Sequence, residues 1–126
     1  MKTIIAGSRN ILDYNIVEEA ITLSKFNITE VVSGTARGVD LLGEKYANNY
    51  NLPIKQFKPN WTPNGILDRG AGHKRNIKMG NYADALIAIW DGKSKGTKQM
   101  IDYATSKGLK VFVHTVSQKI INVVED

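Results

Sequence analysis

The chain of 126 residues contains no cysteine, which excludes disulfide bonds and thiolate zinc sites and fits a reducing cytoplasm. Long apolar runs are also missing. The N-terminal MKTIIAGSR is too short for a signal-peptide core, and no later segment could span a bilayer, so a cytoplasmic protein without a membrane partner is expected. Internal repeats, low-complexity tracts and linkers are absent, leaving a single domain over residues 1–126, long enough for a real core. The net charge is +5, but there is no basic stripe with interleaved aromatics. Thirteen of the 17 basic residues are scattered Lys, so nucleic acid is not the expected partner. Both familiar glycine fingerprints are missing as well: G-x-G-x-x-G does not occur, and in SGTARGVD, residues 33–40, no Lys-Ser or Lys-Thr pair follows the second glycine.

What is present alternates between strand and helix patterns. Residues 2–6 form a β-favouring run ending at Gly7. Residues 13–26 read as a helix with Val17, Ala20, Ile21 and Ser24 on one face and Asn15 with Glu18 as a cap pair. Residues 30–33 form a second strand, cut off by Gly34. Val39, Leu42, Tyr46 and Tyr50 mark the apolar face of a second helix. A third strand over 54–57 leads into the turn-rich stretch 58–70, followed by a helix over 72–81. ADALIAIW, residues 83–90, is apolar on both faces and predicts a central parallel strand covered on both sides. A helix over 97–107 and a strand over 109–114 complete the pattern. The last twelve residues fit a strand or a helix equally. Five strands alternating with helices predict an α/β, Rossmann-like, doubly wound and mostly parallel sheet with helices on both faces.

In such sheets ligands bind beyond the carboxyl ends of the strands. Three glycine-bearing loops fall there: Gly7-Ser8-Arg9, the stretch Gly34-Thr35-Ala36-Arg37-Gly38, and the stretch from Asp91 through Gly92, Ser94 and Gly96 to Thr97. Each is either an ordinary strand-to-helix turn or an anion loop whose backbone amides hold a phosphate. Their convergence, with Arg9 and Arg37, favours a bound phosphate. A helix over 72–81 puts Gly72, Arg75, Asn76, Met79 and Gly80 on one face, with Lys74 and Lys78 turned to water. There Arg75 either grips a planar anion or pairs with Asp84 or Asp91 to hold the helix to the sheet. Trp61, in the turn-rich stretch, is the stacking candidate, whereas Trp90 at a strand end is assigned to the core. Asp40 and Asp91 are the carboxylates available for acid–base work, and helix-start capping alone could account for Asp40. His73 and His114 lack metal-ligand spacing, so neither a metal nor a cofactor is expected.

The motifs GSR, SGTARGVDLLGEKYA, NW with the later AGHKRNIKM, ADALIAIWDGKSKGT and GLKVFV occur in this order across almost the whole chain. In this the chain resembles the SLOG superfamily, the Rossmann-like group that includes the cytokinin-activating LOG enzymes and the DNA-processing DprA proteins. Within it, the chain is most similar to the small stand-alone branch related to YspA and YpsA. The resemblance implies a nucleotide-derived small molecule as partner, ADP-ribose-like or cyclic ADP-ribose-like, held by a sensor or sequestering protein that forms homo-oligomers. LOG enzymes carry an Arg followed four residues later by Met, matched by Arg75 and Met79. They also carry P-G-G-x-G-T-x-x-E, whose glutamate cleaves the base from ribose phosphate; here WDGKSKGTKQM puts Gln99 and Met100 at the matching positions. The alternative function, a nucleotide hydrolase cleaving an N-glycosidic or phosphoester bond, must then draw its catalytic groups from Asp40, Arg75 and Asp91.

Overall fold

A computed structural model of the chain describes residues 1–117. Five strands, β1 (Lys2–Gly7), β2 (Glu30–Ser33), β3 (Ile54–Gln56), β4 (Ala85–Trp90) and β5 (Lys110–Thr115), alternate with α1 (Tyr14–Ser24), α2 (Val39–Asn49), α3 (Ala71–Tyr82) and α4 (Lys95–Ser106). The sheet is all-parallel in the order β3-β2-β1-β4-β5, the Rossmann-like doubly wound arrangement. Of the last twelve residues, Thr115 closes β5 and 118–126 lie outside the described residues.

The strand period of two separates the core into two layers. Ile5, Val31, Ile87 and Ile89 point to one face, where Val17, Ala20 and Ile21 of α1 and Val39 and Ala47 of α2 cover them. Ile4, Ala6, Val32, Leu86 and Ala88 point to the other, under Met79 of α3 and Met100 and Ala104 of α4. β4 is therefore the covered central strand that its sequence predicts, with residues 85–89 all 0% exposed. Each fully buried Ile or Leu there contributes roughly 1.5–3 kcal/mol relative to exposure.

Several local expectations are corrected. α1 is capped by Asp13, whose carboxylate accepts the Asn15 N–H at 2.9 Å, not by an Asn15–Glu18 pair. Glu18 instead accepts the Tyr50 hydroxyl at 3.2 Å. On α2 the buried stripe is Val39, Gly43 and Ala47, with Leu42 and Tyr46 half-buried beside it and Tyr50 exposed. The cause is close packing on β1: an ideal β-carbon on Gly43 would lie 2.9 Å from Ile5, so only small residues fit the contact line. α4 begins two residues early, at Lys95, because the Ser94 hydroxyl caps the Thr97 N–H.

Candidate functional site

β1 sends the chain toward β2 and β3, whereas β4 leads on to β5, so strand order reverses between β1 and β4. The loops after these two strands are tied together directly. Ser8, 1% exposed, donates its N–H to the Ile89 carbonyl at 3.1 Å, and its Oγ accepts the Asp91 N–H at 3.0 Å. A cleft of about 460 Å³ opens above this junction. It brings together Gly7, Ser8, Arg9, Arg37, Asp40, Trp61, Arg75, Asn76, Asp91, Ser94, Gly96 and Thr97 of the residues singled out in the sequence. Gly34 and Thr35 line a smaller adjoining cavity of about 260 Å³ that shares Arg9, Ala36, Trp61 and Arg75 with the first. Gly38 and Gly92 line neither.

Gly38 has a packing task instead. Its φ is +81°, and a β-carbon would lie 2.6 Å from the Arg9 carbonyl oxygen, so only glycine lets the second loop rest on the first. Thr35 also sits at positive φ, +65°. Its N–H donates to Ser33 Oγ at 3.1 Å, and that hydroxyl donates to Glu44 at 2.6 Å, which holds the unfavourable conformation in place.

Several backbone amides of these loops are spent within the protein. Thr35 N–H goes to Ser33, Ala36 N–H to Asp40 at 3.1 Å, Lys93 and Ser94 N–H both to Asp91 Oδ1 at 2.8 Å, and Thr97 N–H to Ser94 at 3.4 Å. Two internal carboxylates, Asp40 and Asp91, thus take three of these amides. Partial burial pushes the Asp91 carboxyl up, but the Ser94 and Lys93 amides and the Ser8 hydroxyl outweigh it and hold Asp91 below its ordinary range.

Asp40 is 4% exposed. Burial pushes its carboxyl from 3.8 up to about 6, against the opposing pull of the Ala36 amide, the Arg75 guanidinium, the Gly7 amide and Arg9. Because the folded value lies above the unfolded one, Asp40 favours the fold below pH 3.8, and that contribution is lost as pH rises through about 6. Asp40→Asn is therefore expected to gain about 2 kcal/mol on wild type between roughly pH 4 and pH 7.5. Urea denaturation of both proteins at the two pH values checks this, and pH profiles that run parallel would contradict it.

Cationic capacity comes from arginine. The chain has four, Arg9, Arg37, Arg69 and Arg75, and all four line the cleft, while none of the described lysines does. Arg9 and Arg37 are exposed; Arg75 is half-buried and fixed. Its Nε donates to Asn76 Oδ1 at 2.9 Å and its Nη1 to the Gly34 carbonyl, so it pairs with neither Asp84 nor Asp91. Asp84 accepts the Lys2 N–H instead, at 2.9 Å. The Nη2 donors of Arg75 have no partner among the described residues. Burial, and then Arg9, push the guanidinium below its usual value, with Asp40 partly opposing, yet an arginine stays charged at neutral pH.

As the helical spacing of α3 implies, Asn76, Met79 and Gly80 are buried and Lys74 and Lys78 exposed, with Lys74 paired to Asp68 at 2.6 Å. Trp61, 40% exposed, lies at the mouth against Gly72. Trp90 is half-buried, its indole N–H donating to the Ser94 carbonyl at 3.0 Å. Met100, where the resemblance places a glutamate, is 1% exposed in the cleft wall beside Met79. Sequence reasoning overlooked Asn10, Arg69 and His73 as lining residues. Arg69 carried a usable signal, the scarcity of arginine beside thirteen lysines; His73 and Asn10 carried none. No helix among the described residues is long and apolar enough to cross a membrane.

The model of the YspA, cpYpsA-related SLOG family, YAcAr, matches residues 1–63, half of the chain. Among solved structures, DNA processing protein A (DprA) from Streptococcus pneumoniae superposes with a TM-score of 0.75 at 17% identity, over 93% of this chain and 51% of that one. The chain thus spans about half the length of DprA, and at this identity the likeness is one of fold. No curated protein matches the sequence.

Proposed function

The chain belongs to the YspA, cpYpsA-related SLOG family, and on that premise we propose that its cleft binds a phosphate-bearing, nucleotide-derived molecule of the ADP-ribose or cyclic ADP-ribose kind, as a sensor or sequestering protein. The observation that carries this reading is the gathering of all four arginines at the point where strand order reverses. Guanidinium groups match phosphate oxygens in a planar, bidentate way that lysine cannot, and the cleft's volume suits a small molecule. Trp61 at the mouth offers an aromatic face for a base. Arg9 and Arg75, which border both cavities, are the groups proposed to hold the phosphate, with the loop amides that lack an internal acceptor beside them.

Titration calorimetry against AMP, ADP-ribose, NAD and cyclic ADP-ribose tests it. At least one is expected to bind with Kd below about 100 µM; no heat from any of the four at high micromolar concentration would overturn the reading. Asp40, a buried carboxyl raised to about 6 in the cleft, favours a second reading, that of a nucleotide hydrolase. Released base or phosphate in the same samples, abolished by Asp40→Asn, would support it. DNA binding, suggested by the name of DprA, is ranked last because the arginines line a cleft of limited volume.

A further inference from the structure

Arg75 is held by a chain of side-chain hydrogen bonds with a fixed polarity. Arginine only donates, so the acceptor facing its Nε must be the Asn76 oxygen. That choice turns the Asn76 amide nitrogen toward α4, where it donates to Gln99 Oε1 at 2.7 Å and, at a longer 3.4 Å, to the Gly96 carbonyl. At the other end Arg75 Nη1 reaches the Gly34 carbonyl in the loop after β2. The relay therefore joins α4, α3 and that loop through one buried asparagine, 7% exposed.

We propose that Gln99, which does not line the cleft, is a positioning residue: its carbonyl locks the Asn76 amide in the one orientation that presents an acceptor to Arg75 and so fixes the plane of the guanidinium. Without that carbonyl, the Asn76 nitrogen keeps only the long Gly96 contact, and the amide plane loses its anchor. The Asn76 oxygen then moves with the loosened amide, and the guanidinium it accepts from leaves the orientation in which its Nη2 donors are offered to an anion. A glutamate at position 99 still accepts from Asn76 and preserves the order; a methionine, of similar length, does not.

The test compares Gln99→Met and Gln99→Glu with wild type. Water exchange of the Arg75 Nε–H, followed by nitrogen-edited NMR and assigned through its loss in Arg75→Lys, reads the relay without any ligand. Exchange is expected to accelerate about tenfold or more in Gln99→Met and to stay within about threefold of wild type in Gln99→Glu. The affinity arm rests on the proposed anion-binding function: the Kd for AMP or ADP-ribose rises about tenfold in Gln99→Met and changes less than about threefold in Gln99→Glu. A wild type that binds neither probe would sink the binding function alone, because the exchange rates still decide the relay. Wild-type exchange in Gln99→Met, or equal damage from both substitutions, would overturn the proposal. Melting temperatures and circular dichroism of both variants confirm that the fold is kept, since position 99 is half-exposed on α4.

Discussion

Gly7→Ala is expected to cost more than about 3 kcal/mol, enough to leave much of the protein unfolded. An ideal β-carbon at Gly7 would lie 2.0 Å from the Ile89 carbonyl oxygen and 2.8 Å from a Val39 methyl. Neither neighbour can step aside. Ile89 is the register partner of Gly7 in the central strand pair, and its carbonyl already accepts the Ser8 N–H at 3.1 Å. Val39 is 0% exposed at the start of α2. Even one methyl group must therefore pry β1 from β4 at the junction beneath the cleft, breaking the Ser8 contacts to Ile89 and Asp91. Urea and thermal denaturation measure the loss. Gly92→Ala makes the natural contrast for sterics, since nothing lies within 4 Å of a β-carbon there, although its φ of +80° carries its own strain. A Gly7→Ala protein as stable as wild type would mean that β1 and β4 do not approach this closely.

Arg75→Ala is expected to weaken binding of AMP or ADP-ribose by about 30- to 100-fold, the range for losing charge-assisted hydrogen bonds to a phosphate. Arg75 differs from the other three arginines in being fixed at both Nε and Nη1 before any ligand arrives, so little ordering cost is added on binding. Arg37→Ala, which removes an exposed and untethered guanidinium, is expected to cost only a few-fold. Arg75→Lys restores charge but neither the plane nor the Asn76 contact, and should recover only part of the loss. A second consequence needs no ligand. Arg75 is one of the groups pulling the Asp40 carboxyl down, so its removal lets burial push Asp40 above about 6. Calorimetry at fixed ionic strength measures the first effect, and an NMR titration of Asp40 the second. If Arg75→Ala bound the probes like wild type, the anion would have to be held by the exposed arginines, and the role given to Arg75 would fail.

Periodicity was enough to reveal the architecture. The two-faced apolar run of β4, the alternating strand and helix patterns and the loops at the strand ends are local properties of the chain, and they determined an α/β doubly wound sheet with those loops gathered at one edge. The Arg75–Asn76–Met79 stripe on α3 was equally legible, because helical spacing alone puts those residues on one face. Three features were decided by tertiary structure. The loops read as anion loops in the sequence, but only the structure shows that Asp40, Ser33, Asp91 and Ser94 take five of their amides, a pairing between groups whose distances no spacing rule encodes. Arg75 had Asp84 or Asp91 as candidate partners, but the turn of α3 against the second loop gives it Gly34 and Asn76 and sets it near Asp40. The joint arginine lining of the cleft draws on three segments far apart in the chain, around residue 9, around residue 37 and over 69–75. The physical reason is the same in each case. Amphipathic period reports which way a residue points from its own element, whereas a site depends on which elements lie beside it, and that is set by the crossover order of the sheet and by close approaches such as those at Gly7 and Gly38.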